Sequence, residues 1–440
     1  MTVIHIGFDD TDSPSAGCTT YLCARLVEFL SHLNVTFIDY PLLIRLNPNV
    51  PFRTRGNAAI CLRIKVDDSF QDKVKQVILE EIERGADLSF KNTNPGVVFY
   101  EGETIPPMLE KFSKKAIQSI VPINEALKVA NTVEAEIHMF KNARGVIGAL
   151  AAVGSLLEND HTYELIAYRT PESYGKPRKL DINSIIKMDS VTSPNTFCNI
   201  DGDRILITPH GPDPILYGVR GDTAEIVYAA HNMIISLEPI ERWVIFRSNQ
   251  GTDMHLRLLD SISQVRPYLS VILNGEVSSR PKTVSGGHVI VQIKDQTGSI
   301  DCAAYEPTGE FREVVRSLIP GDLVRVYGGV RPPSSLHPIT INLEKIEILK
   351  LAPLLVKSNP KCTRCGKRMT SAGKNKGFKC KKCGLKLTEI RKSTLEIPRN
   401  IAEKLYLPPP RAHRHLTRPK ERIDKLAKKS ENMFMPWHYP

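Results

Sequence analysis

The chain opens on apolar positions Val3, Ile4, Ile6 and Phe8, a pattern that predicts a β-strand running into acidic residues. Leu22, Leu26, Phe29, Leu30 and Leu33 then recur at helical spacing, so a strand, a turn over residues 9–18 and a helix form the first unit. Strand-type runs near 58–66, 96–101 and 162–169 alternate with helical patterns near 71–84, 123–131 and 145–157, an α/β or α+β rhythm. RILITPHGPDPILYGV, residues 204–219, predicts two short strands around a proline-rich turn, and TAEIVYAAHNMI a helix after it. The character changes at 268. Five β-type runs (VILNGEV, HVIVQIKD, SIDCAAYE, LVRVYGGV, TINLEKIEIL) follow at short intervals, with one short helix near 309–318, the pattern of a small barrel.

Charge divides the chain. Residues 351–440 carry 23 Lys+Arg against 6 Asp+Glu, whereas the rest is slightly acidic, 36 against 42. A basic end on an acidic body suggests a grip for a polyanion attached to a catalytic or small-ligand module; for the last 30 residues a solvated tail fits the same composition. No run of about 18 apolar residues is present, which argues against a membrane span. The opening MTVIHIGFDD lacks the features of a secretory signal, so a cytoplasmic protein is expected.

Four of the nine cysteines carry the strongest motif, C-x2-C-x14-C-x2-C at Cys362, Cys365, Cys380 and Cys383. Each pair sits on a knuckle that presents two thiolates on one side, and Gly366 and Gly384 supply the tight turns. Four protein ligands leave no open position, so the expected Zn2+ is structural. Lysines at 361, 367, 381 and 382 surround it and suit contact with phosphate.

The second motif is Gly7-Phe-Asp-Asp-Thr-Asp-Ser13 followed by Gly17-Cys-Thr-Thr20. Asp9, Asp10 and Asp12 side by side repel by about 1 kcal/mol per pair even in water. A bound Mg2+ reverses that penalty, and the helix opened by Gly-Cys-Thr-Thr offers amides to an anion. That combination suits phosphoryl transfer; the same residues also suit an acidic turn with Thr19 or Thr20 as helix N-cap, and spacing alone does not choose. Arg53 and Arg55 flank a threonine ahead of Asn57 and a strand, which fits phosphate recognition. Asn92-Thr-Asn-Pro-Gly96 is a polar turn before another strand. Asp201-Gly-Asp203 and His210-Gly-Pro-Asp213 place short carboxylates on rigid turns, where an ordinary hairpin is the simpler reading. A Gly-rich kinase loop and a G-x-x-x-x-G-K-[ST] P-loop are both absent from the sequence.

Taken together, GFDDTDS…GCTT, NPNVPFRTRGNAA, NTNPG, PNTF, ITPHGPDPILYGVRG, FRSNQGTDMHL, the barrel and the four-cysteine ribbon resemble the archaeal tRNA-isoleucine 2-agmatinylcytidine synthetases, over most of the chain. The resemblance implies a multidomain α+β protein: an N-terminal α/β kinase-like domain, a ferredoxin-like domain, an OB-fold barrel and a zinc ribbon. It implies residues 1–120 for ATP-dependent phosphorylation of cytidine, possibly discontinuous, and 121–240 for agmatine. A linker plus OB-fold would occupy 241–350, the zinc ribbon 351–390 and a basic tail 391–440. The implied activity is that of a ligase: ATP phosphorylates the O2 of the first anticodon cytidine of an isoleucine tRNA with a CAU anticodon, and agmatine displaces the phosphate, so that AUA is read. Under this resemblance Asp9, Asp10, Asp12 and Thr19 are the catalytic candidates. Thr11, Arg53, Arg55, Asn57, Asn94 and Gly96 would serve ATP with Mg2+, and Asp201, Gly211 and Asp213 agmatine. The rival expectation is a non-catalytic single-stranded nucleic-acid-binding factor of OB-fold plus zinc ribbon, which leaves the first 240 residues without a purpose.

Overall fold

The computed structural model describes residues 1–440 apart from 15, 34, 54, 55, 428, 429 and 431, so the expectation for Arg55 lies outside the described residues. The first half of the body contains β1 (Thr2–Asp9), α1 (Thr19–Ser31), β2 (Val35–Phe37), β3 (Leu42–Arg45), β4 (Ala58–Val66), α2 (Gln71–Gly85), β5 (Gly96–Glu101), α3 (Pro107–Gln118), α4 (Ile123–Thr132), β6 (Glu136–Met139) and α5 (Gly145–Val153). The second half contains β7 (Thr162–Arg169), α6 (Ile182–Thr192), β8 (Thr196–Phe197), β9 (Ile200–Asp201), β10 (Arg204–Ile205), β11 (Ile215–Gly221), α7 (Ala224–Met233) and β12 (Ile240–Ser248).

Both halves share one sheet, in the order β6-β5-β1-β4-β3-β12-β7-β11-β8. Every pairing along that path is antiparallel except β3–β12, where Leu42 faces Arg247 and Leu43 faces Ser248. Of the two expected rhythms, α/β or α+β, the N-terminal half therefore follows α+β. Among the described residues between β3 and β4, no crossover helix turns the chain back to parallel. One layer of helices, α1, α2, α6 and α7, covers one face with a continuous core, and α3, α4 and α5 cover the other. The two-residue seam between the halves is reinforced by side chains: the Asn249 carboxamide donates to the Arg45 carbonyl (2.9 Å) and accepts from the Arg45 amide (2.8 Å).

Helix α5 lies unusually close to the sheet because glycines line the contact. A Cβ on Gly7 would stand 2.1 Å from the Ala149 carbonyl oxygen, and one on Gly96 would stand 2.1 Å from the Val146 nitrogen. This contact fixes the end of β1, where the acidic turn begins.

Beyond the body, β13 (Arg257–Leu258), β14 (Ser270–Val277), β15 (Lys282–Thr283), β16 (Val289–Lys294), β17 (Ser299–Ala304), α8 (Glu310–Arg316), β18 (Leu323–Arg331) and β19 (Thr340–Lys350) build the expected barrel. Strands β14, β18, β19, β17 and β16 are successive neighbours, and β16 returns to β14 through Val277–Ile293 and Glu276–Lys294, which closes it. A two-stranded stalk, β20 (Leu354–Ser358) against residues Ser393–Ile397, then carries the cysteine ribbon.

The end of the chain returns to the body as a strap. Leu405–Tyr406 pairs with β19, and His438–Tyr439 pairs with β12. Between them Arg422, fully buried, reaches Asp160 and Asp222, each at 2.8 Å, while Arg418 meets the other oxygen of Asp160 at 2.7 Å. Removing one member of a buried, hydrogen-bonded ion pair leaves an uncompensated charge and costs about 3 kcal/mol or more. Arg422→Ala is accordingly expected to lower the thermal midpoint by roughly 5–10 °C. An unchanged melting curve would show that the strap is not fastened there.

Candidate active site at the seam of the sheet

A cavity of ≈ 420 Å³ opens beside the seam, within the range of small-molecule sites. Its wall draws on β1 and the acidic turn, the start of α1, β3, α5, β7, β11, the loop after β10 and the strap.

One end is acidic. Asp9, Asp10 and Asp12 line it together with Thr19 and Thr20. Asp9 stands against Gly148, where a Cβ would fall 1.9 Å from its carboxylate oxygen. Burial, with the neighbouring Asp10 adding to it, pushes the Asp9 carboxyl well above its ordinary pKa. Asp10 adopts a left-handed backbone, φ 61°, and accepts two hydrogen bonds from Arg144, Nε at 3.0 Å and Nη2 at 2.8 Å. Burial raises the Asp10 pKa, with Arg144 opposing. The Thr19 hydroxyl lies 3.0 Å from that of Thr11.

Another part of the wall is cationic around one carboxylate. Glu164 on β7 receives Arg220 Nε at 3.1 Å and Gln250 Nε2 at 2.5 Å, and Arg45 stands 4.0 Å away. Burial pushes the Glu164 carboxyl up, but Arg220 and Arg45 outweigh it and hold the pKa below its usual value. Burial lowers the Arg45 pKa to about 10, with Glu164 opposing.

The expected ligands divide accordingly. Arg53 and Asn57 line the cavity, and Asn57 is tied back by its carboxamide to the Asn47 carbonyl at 2.9 Å. Thr11, Asn94 and Gly96 do not line it and act as supports: Asn94 receives the Gly145 amide at 2.9 Å, and Gly96 admits α5. Asp213 lines the wall and pairs with Arg178 at 3.1 Å, while the same guanidinium donates to the Gly211 carbonyl at 3.0 Å. Asp201 stands outside the cavity wall and pairs with Arg411 of the strap at 2.8 Å. Sequence reasoning missed Arg45, Glu164, Arg144 and His415, and gave Arg220, inside the quoted Gly218-Val-Arg-Gly221, no role. For Arg45 and Glu164 a signal existed: each is a charged residue on a strand made mostly of apolar and aromatic positions.

The four cysteines converge. Their sulfurs lie within 4.8 Å of one another, the only such set of three or more potential ligands among the described residues. Cys362–Cys383 and Cys365–Cys380 approach to 3.5 and 3.4 Å, near the roughly 3.8 Å edge of a tetrahedron with Zn–S bonds of about 2.3 Å. The knuckles match: the Gly366 amide donates to the Cys362 carbonyl, and the Gly384 amide to the Cys380 carbonyl, both at 2.9 Å. These residues fit a structural zinc.

Fold and site together define the class: a two-part α+β body holding an enzyme-type cavity, joined to an OB-fold barrel and a zinc ribbon. Family models match in the same order: the TiaS TCKD domain at residues 5–70, the TiaS FLD domain at 143–255, an OB-fold nucleic acid binding domain at 271–349 and the TiaS C-terminal zinc ribbon domain at 359–401. A tRNA-isoleucine 2-agmatinylcytidine synthetase (TiaS) of Pyrococcus horikoshii is 43% identical, covering 98% of this chain and 99% of its own length. Its counterpart in Methanosarcina mazei is 42% identical over 96% and 97%. The crystal structure of a TiaS complex with its isoleucine tRNA and ATP superposes with a TM-score of 0.87 at 40% identity, over 98% of this chain and all of that one. A TiaS complex with the same tRNA, AMPCPP and agmatine superposes with a TM-score of 0.85 at 38% identity, with the same coverage. The chain belongs to the tRNA-isoleucine 2-agmatinylcytidine synthetase family. No described helix is long and apolar enough to cross a membrane.

Proposed function

We propose that this chain ligates agmatine to C2 of the wobble cytidine in the CAU anticodon of an isoleucine tRNA, consuming ATP and passing through a phosphorylated cytidine, so that AUA is decoded. The observation that carries this reading is the cavity at the seam, whose wall brings carboxylates and a threonine pair together with guanidiniums. Oxide is a poor leaving group from cytosine, and phosphorylation converts it into a good one. A base in an anticodon loop is cheap to unstack and deliver into a pocket.

Within the cavity, Asp9 and Asp12 would hold Mg2+, which usually takes one or two carboxylates and completes its shell with water and phosphate oxygens. Bound there, the ion supplies charge neutralisation on the transferring phosphoryl group. Asp10 would join them only in competition with Arg144, which pairs with its carboxylate. Thr19 would meet the transferring phosphoryl group, and Arg53 and Asn57, which line the same cavity, would help hold it. For agmatine, Asp213 on the wall is better placed than Asp201, and Gly211 shapes its turn. The phosphorylating role is assigned to the first 120 residues, in a kinase-like manner, agmatine binding to the region near 121–240, and the tRNA grip to the barrel and ribbon. A binding factor without catalysis gives no account of the seam cavity.

Mass spectrometry of tRNA nucleosides after incubation with ATP and agmatine tests the reading. The expected result is an agmatine-dependent mass gain on one cytidine; no gain with folded, tRNA-bound protein would overturn it.

A further inference from the structure

The strap does more than close the body. Its residues, 402–440, lie outside the four segments that the family models match, yet His415 lines the seam cavity. The backbone there is pinned on both sides: the Gly251 amide donates to the His415 carbonyl at 2.8 Å, and the Asp253 amide donates to the Leu416 carbonyl at 2.9 Å.

The geometry sets the ring's tautomer. Arg220 Nη2 lies 3.1 Å from His415 Nδ1, and a guanidinium only donates, so Nδ1 accepts and the hydrogen sits on Nε2. Arg45, then burial, Arg220 and Arg53 hold the imidazole pKa well below its ordinary value, which agrees with a neutral ring. Nε2 and the Arg45 guanidinium both approach Gly56: a Cβ there would lie 3.5 Å from Nε2 and 2.4 Å from Arg45 Nη1. Any side chain at 56 would push the Arg45 guanidinium aside, so glycine lets both donors sit here. Arg53 lines the same cavity.

We propose that His415 is a substrate-contacting residue whose neutral Nε2–H, together with Arg45, Arg53 and Arg220, binds phosphoryl oxygens, either of the triphosphate or of the phosphorylated cytidine. The inference rests on the ligation reading above. Three guanidiniums against the single carboxylate of Glu164 leave positive charge for a bound anion, and a neutral donor among them adds a directed hydrogen bond without adding a fourth charge. The ring donates and does not titrate.

The test compares full-length parent, His415→Gln and His415→Ala, each checked by thermal melting. Removing one preorganised donor is expected to lower ligation kcat/KM by about 10²-fold in His415→Ala. His415→Gln, whose carboxamide NH2 replaces the donor but cannot exchange a proton, should recover most of that loss. Binding of a non-hydrolysable ATP analogue without tRNA separates the sources. Weaker binding by His415→Ala assigns the triphosphate, whereas unchanged binding with impaired ligation assigns the phosphorylated base. Parent-like ligation by His415→Ala, or a Gln variant as poor as the Ala variant, overturns the proposal. If the parent forms no modified cytidine, the ligation reading fails, and analogue binding alone decides: equal affinity of parent and His415→Ala overturns this inference too.

Discussion

Asp9→Asn is expected to abolish ATP turnover, by roughly 10³-fold or more, while making the metal-free protein more stable. Both effects come from one placement. The Asp9 carboxylate is packed against Gly148 beside Asp10, and burial raises its pKa well above the ordinary value. A carboxyl whose pKa is higher in the folded than in the unfolded chain favours folding only while protonated. Its ionised form therefore costs stability as pH rises past the unfolded value near 3.9, and the cost persists above the folded pKa. Asparagine keeps the acceptor that receives the Asp10 amide at 2.7 Å and removes the charge. With divalent ions chelated, the Asn variant should melt above the parent at pH 7–8, and added Mg2+ should stabilise the parent far more than the variant. The lost turnover reflects the missing charge opposite the transferring phosphoryl group, a contribution commonly worth 10²–10³-fold or more. Near-normal turnover, or equal Mg2+ response in both proteins, would remove Asp9 from the metal assignment.

How far the sequence could be read depends on the range of the interactions involved. Strands β4, β5 and β7 follow the apolar runs that announced them, and the barrel forms from the five runs that predicted it, because local alternation is decided by the faces each strand buries. Helix α3 does not stand out, since Pro106-Pro107 reads as a breaker, whereas Pro107 occupies the first helical position, where it is favoured. Helix α6 mixes β-branched and polar residues and starts from a cap at Asp181, whose carboxylate accepts the Asn183 and Ser184 amides. The seam itself was not legible: it joins residues about two hundred positions apart through two register pairs and one asparagine, with no local signature. Asp10 shows the limit for site residues. Its type and position mark it as a metal ligand, and only the fold brings Arg144 onto it. His415 sits in a basic stretch that composition assigns to a solvated end, while its role depends on a return path set by buried pairs at Asp160 and Asp222.

That return path also changes what the basic end can do for RNA. Of the eight Lys+Arg in residues 405–440, Arg411, Arg414, Arg418, Arg422 and Lys425 are ion-paired with the body or the barrel. The ribbon differs: residues 359–392 hold 12 Lys+Arg and one acidic residue, mostly exposed. Most counterion release on tRNA binding should therefore arise at the ribbon and not along the whole basic third. A chain ending near residue 350 cannot test this, because it loses the strap and His415 as well. The stalk offers a cleaner cut. Ser358 and Ser393 face each other with hydroxyls 2.9 Å apart, so residues 359–392 can be replaced by an Asn-Gly turn that closes the hairpin. The shortened protein should carry no zinc, against one per chain in the parent, and keep the parent's melting curve and its affinity for ATP and agmatine. Its tRNA affinity should fall, with a flatter dependence of log affinity on log salt. Each lost phosphate contact removes roughly 0.7–0.9 from that slope, so four contacts remove about 3. A parent-like slope after excision would place the grip on the barrel and body, and the ribbon's lysines would then serve solubility alone.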